Sequence, residues 1–276
     1  MYAGKAAETR TVRHDRYGAA PGVEYDVPGF NTGVAAPLSV RHRPSRARLA
    51  SPESSRSAAT RRPIRDKLRP MHDRPLEHRP HPWHGVDLGK RFPEIVRAYI
   101  EIVPTDGVKY EIDKHSGYLM VDRPQRFSSF CPTLYGFVPR TYCGDRVAAY
   151  ALAGSPPVSR GDGDPLDICV LTDRPISRGE ILLEARPIGG LRMVERGEAD
   201  DKILAVLLGD PTYGEIVDVS QLPRPIIDRL RHYFLTYKAL PGDGPNPITV
   251  DPVYDAMESR GILVAARADY AHCFPG

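Results

Sequence analysis

Apolar positions change their period along this chain, and the changes predict its elements. Residues 97–103 (RAYIEIV) and 109–113 (KYEID) alternate apolar and polar, as half-buried strands do, and 118–122 (YLMVD) is a third candidate. Asp106-Gly107 and Ser116-Gly117 supply turns between them, so the three predict a meander. Residues 166–171 (LDICVL) and 203–208 (ILAVLL) are nearly unbroken apolar runs, the pattern of buried strands, and 181–188 is a further strand candidate. The period then lengthens. Ile226, Ile227, Leu230, Tyr233, Phe234 and Tyr237 share one helical face, predicting a helix over 223–240. Asp251-Pro252 has the residues of a helix N-cap and first turn, with Val253, Met257 and Ile262 as the apolar face of a second helix. Strands first and helices last predict a mainly β (α+β) fold, a closed barrel with helices packed outside.

Neither period occurs in residues 1–70. They are rich in Arg, Pro, Ser and Ala, and are read as a disordered basic tail preceding a folded domain at 71–276. Met71 stands at a natural domain edge, so a start codon assigned too far upstream is one source of such a tail. The tail carries 14 Lys and Arg against 6 Asp and Glu, a net +8, so a chain of net +3 leaves −5 for the body. Basic arms can bind RNA or membranes, but aromatic residues are sparse here and no motif is present. Four histidines follow, His72, His78, His81 and His84, interrupted by Pro75, Pro80 and Pro82. That proline density predicts an extended strap anchored by Trp83 rather than a helix aiming imidazoles at one metal. Cys131, Cys143, Cys169 and Cys273 form no C-x-x-C pair and fit a reducing cytoplasm. No apolar run reaches the roughly 18 residues of a membrane span, and no secretory signal is visible.

The most informative stretch is 162–167, Asp-Gly-Asp-Pro-Leu-Asp. Three carboxylates on a loop repel one another, and hard, oxygen-loving cations are what neutralise them best. A solvated acidic turn is the plain alternative. Elsewhere the chain offers further carboxylates (Glu101, Glu111, Glu195, Asp200, Asp201), cations (Lys109, Arg123, Lys202, Lys238) and phenols (Tyr135, Tyr237). Magnesium is usually held by few carboxylates together with substrate phosphate and water. A mixture of acidic and basic residues therefore suits a metal–phosphate complex.

The segments EIVPTDGVKYEID (101–113), VDR (121–123), PTLYGFVP (132–139), DGDPLDICVL (162–171), GEADDKILAV (197–206) and HYFLTYK (232–238) resemble soluble family I inorganic pyrophosphatases. They occur in that family's order and cover nearly all of 95–240. The resemblance implies a five-stranded OB-like β-barrel with C-terminal helices and a site at its mouth. It implies hydrolysis of inorganic diphosphate to two orthophosphates with several Mg²⁺ ions, Mn²⁺ or another divalent ion being alternatives. By motif position, Asp162, Asp167, Asp200 and Glu195 correspond to metal ligands, with Asp167 shared between two ions. Asp164 corresponds to the acceptor of the attacking water's proton. Lys109, Arg123, Tyr135, Tyr237 and Lys238 correspond to phosphate binders, Glu101 and Glu111 to outer acidic positions, and Lys202 to a pocket lysine. A homo-oligomer, hexamer or dimer, is implied as well.

Three positions depart from the family's pattern. Glu195 stands where many members have Asp, and Cys131 and Leu134 where better-known bacterial members have Tyr and Asn. Residues 143–160 form a longer loop than compact members have, a lid, an interface element or a tolerated insertion. Cys131 is read as a buried inert thiol in preference to a redox-sensitive one. Single residues keep plain readings: Tyr237 as core, Lys238 as partner of a helix C-terminus, Lys109 and Glu111 as a salt-bridged strand face. His115 and His232 are read as surface or satisfied histidines. A nucleic-acid-binding OB module would need aromatic, basic strand faces, which argues against that partner. An enzyme cleaving nucleotide or organic diphosphates is the other rival.

Overall fold

The computed structural model describes residues 79–126, 128–152, 158–238, 242, 244 and 246–275. The expected tail, and His72 and His78 of the strap, lie outside the described residues.

Five strands close into a ring. They are β1 (Val96–Ile102), β4 (Leu134–Phe137), β6 (Asp167–Leu171), β9 (Lys202–Leu207) and β7 (Ile181–Glu195). Each pairs with the next, and β7 pairs back to β1, which gives the OB-like ring. All these pairings are antiparallel except β6–β9. The apolar runs in β6 and β9 follow from burial on both faces. Ile168, Val170, Ile203 and Ala205 share a core with Val147 of helix α1 (Asp145–Leu152) and Ile262, Leu263 and Ala266 of helix α3 (Ala256–Cys273). The alternate residues Cys169, Leu171, Leu204 and Val206 share another with Leu230, Tyr233 and Phe234 of helix α2 (Arg224–Thr236).

Several elements differ from the sequence expectation. Strands β2 (Val108–Ile112) and β3 (Leu119–Pro124) pair only with each other, so the expected meander is instead a separate hairpin beside the ring. Strand β7 does not stop near residue 188 but continues to Glu195. At Gly190 a Cβ would lie 2.2 Å from the Tyr254 ring, so glycine there lets strand β10 (Ile248–Asp255) approach β7 closely. The expected helix start at Asp251-Pro252 lies inside β10, at a register shift between Val250 and Val253 where proline is tolerated. Asp255 takes the N-cap role, accepting from the Glu258 backbone at 2.8 Å, and Met257 is exposed. Helix α2 ends at Thr236 with Tyr237 as its C-cap, short of the expected residue 240.

The long loop at 143–160 contains α1, whose Val147, Ala148 and Ala151 are buried. Its N-terminus is capped from α3: Asp269 accepts from the backbones of Gly144 (3.1 Å), Arg146 (3.0 Å) and Val147 (3.2 Å). Two short segments, β5 (Arg160–Gly161) and β8 (Glu198–Ala199), pair in parallel before the aspartate loop. In the strap, Trp83 is buried and donates from Nε1 to the Thr141 carbonyl at 2.8 Å.

Asp210, just after β9, is buried and accepts from the backbones of Tyr213 (2.8 Å), Thr212 (2.9 Å) and Asp173 (3.1 Å) and from the Thr172 hydroxyl (2.7 Å). Burial alone would raise its pKa, but these bonds outweigh it and hold the carboxyl below its ordinary value. A depressed folded-state pKa stabilises above the unfolded carboxyl's value, and the contribution fades as pH falls through the folded one. Asp210→Asn is expected to cost about 1–3 kcal/mol at neutral pH. The gap from wild type should narrow below about pH 4 in urea melts run across pH. A gap that stays constant into acid would refute the assignment.

Candidate active site

The aspartate loop is fastened through its backbone. Cys143 donates to the Asp164 carbonyl at 2.8 Å, and Gly163 donates back to the Cys143 carbonyl at 3.1 Å. Asp162 donates to the Ala199 carbonyl at 3.2 Å, and its side chain accepts from the Asp164 backbone at 3.0 Å. Gly163 has φ +80°, a left-handed conformation that glycine adopts without strain. The loop thus projects Asp162 and Asp164 and delivers Asp167 as the first residue of β6.

Asp167 lies opposite Lys202 in the parallel β6–β9 ladder. Lys202 is 1% exposed, and its ammonium donates to Asp167 Oδ2 at 2.5 Å and to Asp200 Oδ1. Burial would lower the Lys202 pKa, but Asp167 and Asp200 outweigh it and push it well above its ordinary value. The Tyr135 hydroxyl on β4 also donates to Asp167 Oδ2, at 2.5 Å. Burial, then the charges of Asp167 and Asp200, raises that phenol well above its ordinary pKa, so it stays a donor. Both bonds to Asp167 use Oδ2 and leave Oδ1 outside them. Burial raises the pKa of Asp162 and of Asp200, and the charge of Asp200 adds to the effect on Asp162. Glu101, on β1, accepts from the Ile112 backbone at 2.8 Å, and burial pushes it up to about 8. It is therefore largely protonated at neutral pH.

The hairpin contributes cations. Lys109 donates to Glu111 and to Asp122, each at 2.8 Å. Burial would lower its pKa, but those bonds raise it. Arg123, opposite Lys109, donates from Nη1 to Asp122 at 2.5 Å, while its buried Nη2 has no hydrogen-bond partner among the described residues. The Arg123 guanidinium lies 5.7 Å from the Tyr237 ring centre, and Lys238 bonds Glu195 at the end of β7. The thirteen residues to which the resemblance gave roles line one cavity of about 340 Å³, and Asp201 does not.

Three charged lining residues were missed. Lys114 bonds Asp164, Asp122 joins Lys109 to Arg123, and Glu198 pairs with Arg160. Asp122 and Glu198 stand within segments already singled out, VDR and GEADD. Lys114 sits two residues past β2, where a lysine carries no signal of its own. Residues away from the cavity keep their plain readings. His115 and His232 are exposed, Leu134 is core, and burial pushes the Cys131 thiol up to about 11, so it is inert near neutrality.

One neighbour of the cavity is held differently. Arg192 on β7 places Nε 3.2 Å from both Asp201 oxygens, Nη2 2.7 Å from Glu258 on α3, and Nη1 on the Tyr150 carbonyl in α1. Asp200 and Asp201, adjacent in sequence, therefore face different partners.

The cavity wall carries nine Asp and Glu against five Lys and Arg. A phosphate-rich anion entering it would meet an excess of negative charge. The donor set is all oxygen, desolvated and mutually repulsive, which fits hard divalent cations. Among the described residues no three Asp, Glu, His or Cys side chains are gathered around one ion position as they stand. Lys202 and Tyr135 occupy one edge of these carboxylates, and Asp167 Oδ1 remains outside those bonds.

The family model described as inorganic pyrophosphatase matches residues 98–271. A Chlamydia muridarum inorganic pyrophosphatase is 50% identical over 199 residues, which span 70% of this chain and 95% of the relative. An Arabidopsis thaliana soluble inorganic pyrophosphatase is 38% identical over 158 residues, spanning 57% of this chain and 66% of the relative. The crystal structure of the Thermus thermophilus inorganic pyrophosphatase superposes with a TM-score of 0.57 at 29% identity, covering 67% of this chain and 96% of that one. The chain belongs to the inorganic pyrophosphatase family, enzymes that hydrolyse diphosphate to phosphate and depend on divalent metal.

Removing Lys202 tests how far the structure rests on this cluster. Lys202→Met leaves Asp167 and Asp200 without their shared cation, and the expected loss is about 3–5 kcal/mol in urea unfolding without divalent metal. A loss below about 1 kcal/mol would mean that the carboxylates are solvated rather than buried with the lysine.

Proposed function

We propose that this chain hydrolyses inorganic diphosphate to two orthophosphates in a Mg²⁺-dependent reaction, with the thirteen cavity residues in the roles their positions suggest. The observation that carries this reading is one cavity uniting a carboxylate cluster with lysine, arginine and tyrosine donors. Asp162, Asp167, Asp200 and Glu195 would hold the ions. When bound, Mg²⁺ neutralises phosphate oxygens and lowers the pKa of water from ~15.7 towards neutrality.

The chain's own groups then divide the work. Lys109, Arg123 and Lys238 bind phosphate oxygens, with Arg123 Nη2 already free of a protein acceptor among the described residues. Lys109 and Lys238 exchange their carboxylate partners for substrate, which leaves Glu111, Asp122 and Glu195 available to cations. Tyr237 and Tyr135 present hydroxyls, with Tyr135 orienting Asp167. Asp164 accepts the proton of the attacking water as that oxygen bonds to one phosphorus. The bridging P–O bond breaks, and its electron pair leaves with the second phosphate. Lys114 bonds Asp164 before substrate arrives and holds that carboxylate at the cavity wall. Neutral Glu101 holds the Ile112 backbone, and with it the end of β2, against β1.

The same reading takes the protein as a cytoplasmic homo-oligomer. Free buried thiols at Cys131, Cys143 and Cys169 suit a reducing compartment, and exposed Tyr118, Met120 and Val121 on β3 and its turn suit a subunit contact. No helix among the described residues is long and apolar enough to cross a membrane.

Phosphate release with Mg²⁺, measured on diphosphate and on ATP, tests the reading, and diphosphate should be the far better substrate. No Mg²⁺-dependent release from diphosphate would overturn it. Asp164→Asn should lower kcat by about 10²–10⁴ with circular dichroism and melting unchanged. Near wild-type turnover would remove Asp164 from its role.

A further inference from the structure

A second cavity, of about 510 Å³, shares no residue with the catalytic one. Its size is that of a small-molecule site. It lies where the N-terminal strap meets the end of α3, and two kinds of group face it. One kind is cationic. Arg140 uses Nε to bond the His84 carbonyl at 3.1 Å, and the Arg267 guanidinium lies 5.5 Å from the Phe92 ring centre. Neither forms an ion pair with a carboxylate among the described residues. The lining's single carboxylate, Asp87, is bound to Arg97 at 2.8 Å. The other kind is aromatic. Phe274 lies 5.0 Å from both His84 and Tyr270, and His84 Nδ1 is 2.7 Å from the Tyr270 hydroxyl. Burial, then the neighbouring His81, lowers the His84 pKa, so near neutrality it presents a ring rather than a charge.

The cavity is also joined to the catalytic loop by packing. Phe274 stands edge-on to Tyr142 at 5.8 Å. The Tyr142 hydroxyl would be 3.4 Å from a Cβ on Gly163, between Asp162 and Asp164, and the Tyr142 backbone donates to the Ala266 carbonyl of α3 at 3.0 Å.

We propose that this cavity is a second ligand site, for a phosphorylated planar heteroaromatic compound of the nucleoside phosphate class, and that its occupancy alters catalysis through Phe274, Tyr142 and Gly163. Guanidiniums not paired with a carboxylate match phosphate in geometry and charge. The ring wall matches the face of a base, and inorganic phosphate would leave that wall unused.

AMP is a suitable probe because it has one base, one phosphate and no diphosphate bond for the catalytic cavity to cleave. The chain's single tryptophan, Trp83, stacks on His84 at 4.5 Å and reports on the site directly. AMP titrated into the full-length protein with Mg²⁺ should change Trp83 fluorescence saturably, excited beyond the adenine absorption band. Adenosine and ribose 5-phosphate should each bind about tenfold or more weaker, since each keeps half the contacts. Arg140→Gln/Arg267→Gln should weaken AMP about tenfold or more and leave basal diphosphate hydrolysis unchanged, both arginines being exposed and outside the catalytic cavity. AMP should also shift KM or kcat for diphosphate by about fivefold in the wild type and not in the double variant. No saturable change with AMP overturns the proposal. So does a titration or a kinetic shift that is the same in the double variant, which would place AMP in the catalytic cavity or elsewhere.

Discussion

The ammonium of Lys202, held between Asp167 and Asp200, is the interaction on which the rest of the cavity depends. It sits at the β6–β9 pair, the one parallel ladder in the five-strand ring, where both strands begin beside the cavity. Two carboxylates brought this close with little water would repel each other. The lysine makes their proximity tolerable without saturating either one, and Tyr135 shares the same oxygen of Asp167. What results is an anionic surface with coordination capacity left over, Asp167 Oδ1 among it. The cations Lys109, Lys114 and Lys238 each rest on a carboxylate of the cavity wall. The protein therefore carries its own provisional counter-ions, which metal and substrate can replace in exchange.

Position within the fold divides the site into two parts. Asp162, Asp164, Asp167, Glu195, Asp200 and Lys202 stand on the ring or on segments bonded to it, whereas Lys109, Glu111, Asp122 and Arg123 stand on the β2–β3 hairpin, which has its own two-stranded ladder. Glu101 connects the two, since its buried side chain on β1 holds the Ile112 backbone of β2. Behind the aspartate loop, α1 and α3 act as one unit because Asp269 closes the first turn of α1.

Much of this was legible in the chain. The unbroken runs at 166–171 and 203–208 became β6 and β9 because strands covered on both faces need no alternation. The short motifs, read in order, named thirteen candidate residues that line one cavity. What could not be read had non-local causes. Asp251-Pro252 is locally a good helix start, yet pairing with β7 holds it in a strand, and Asp255, with Glu258 three residues on, caps the helix instead. The loop at 143–160 hid α1, whose cap comes from a residue far along the chain. The hairpin read as part of a meander because alternation and turns specify a strand pair but not its neighbours. Lys114 was overlooked because an exposed lysine after a strand is ordinary until Asp164 is placed beside it.

The doublet Asp200-Asp201 has a consequence for how the barrel finds its register. Identical side chains in adjacent positions make the sequence nearly degenerate to a one-residue slip of β9, the error that exchanges the two faces of a strand. Lys202 breaks that degeneracy in both directions. A slip that moves it to the place of Ile203 would put an unpaired ammonium into the apolar core behind the ring. A slip the other way would press it against Arg192 and leave an isoleucine among the carboxylates. The register that completes the cavity is the one in which the Lys202 ammonium meets Asp167 and Asp200, so the charge that builds the site also specifies the strand alignment.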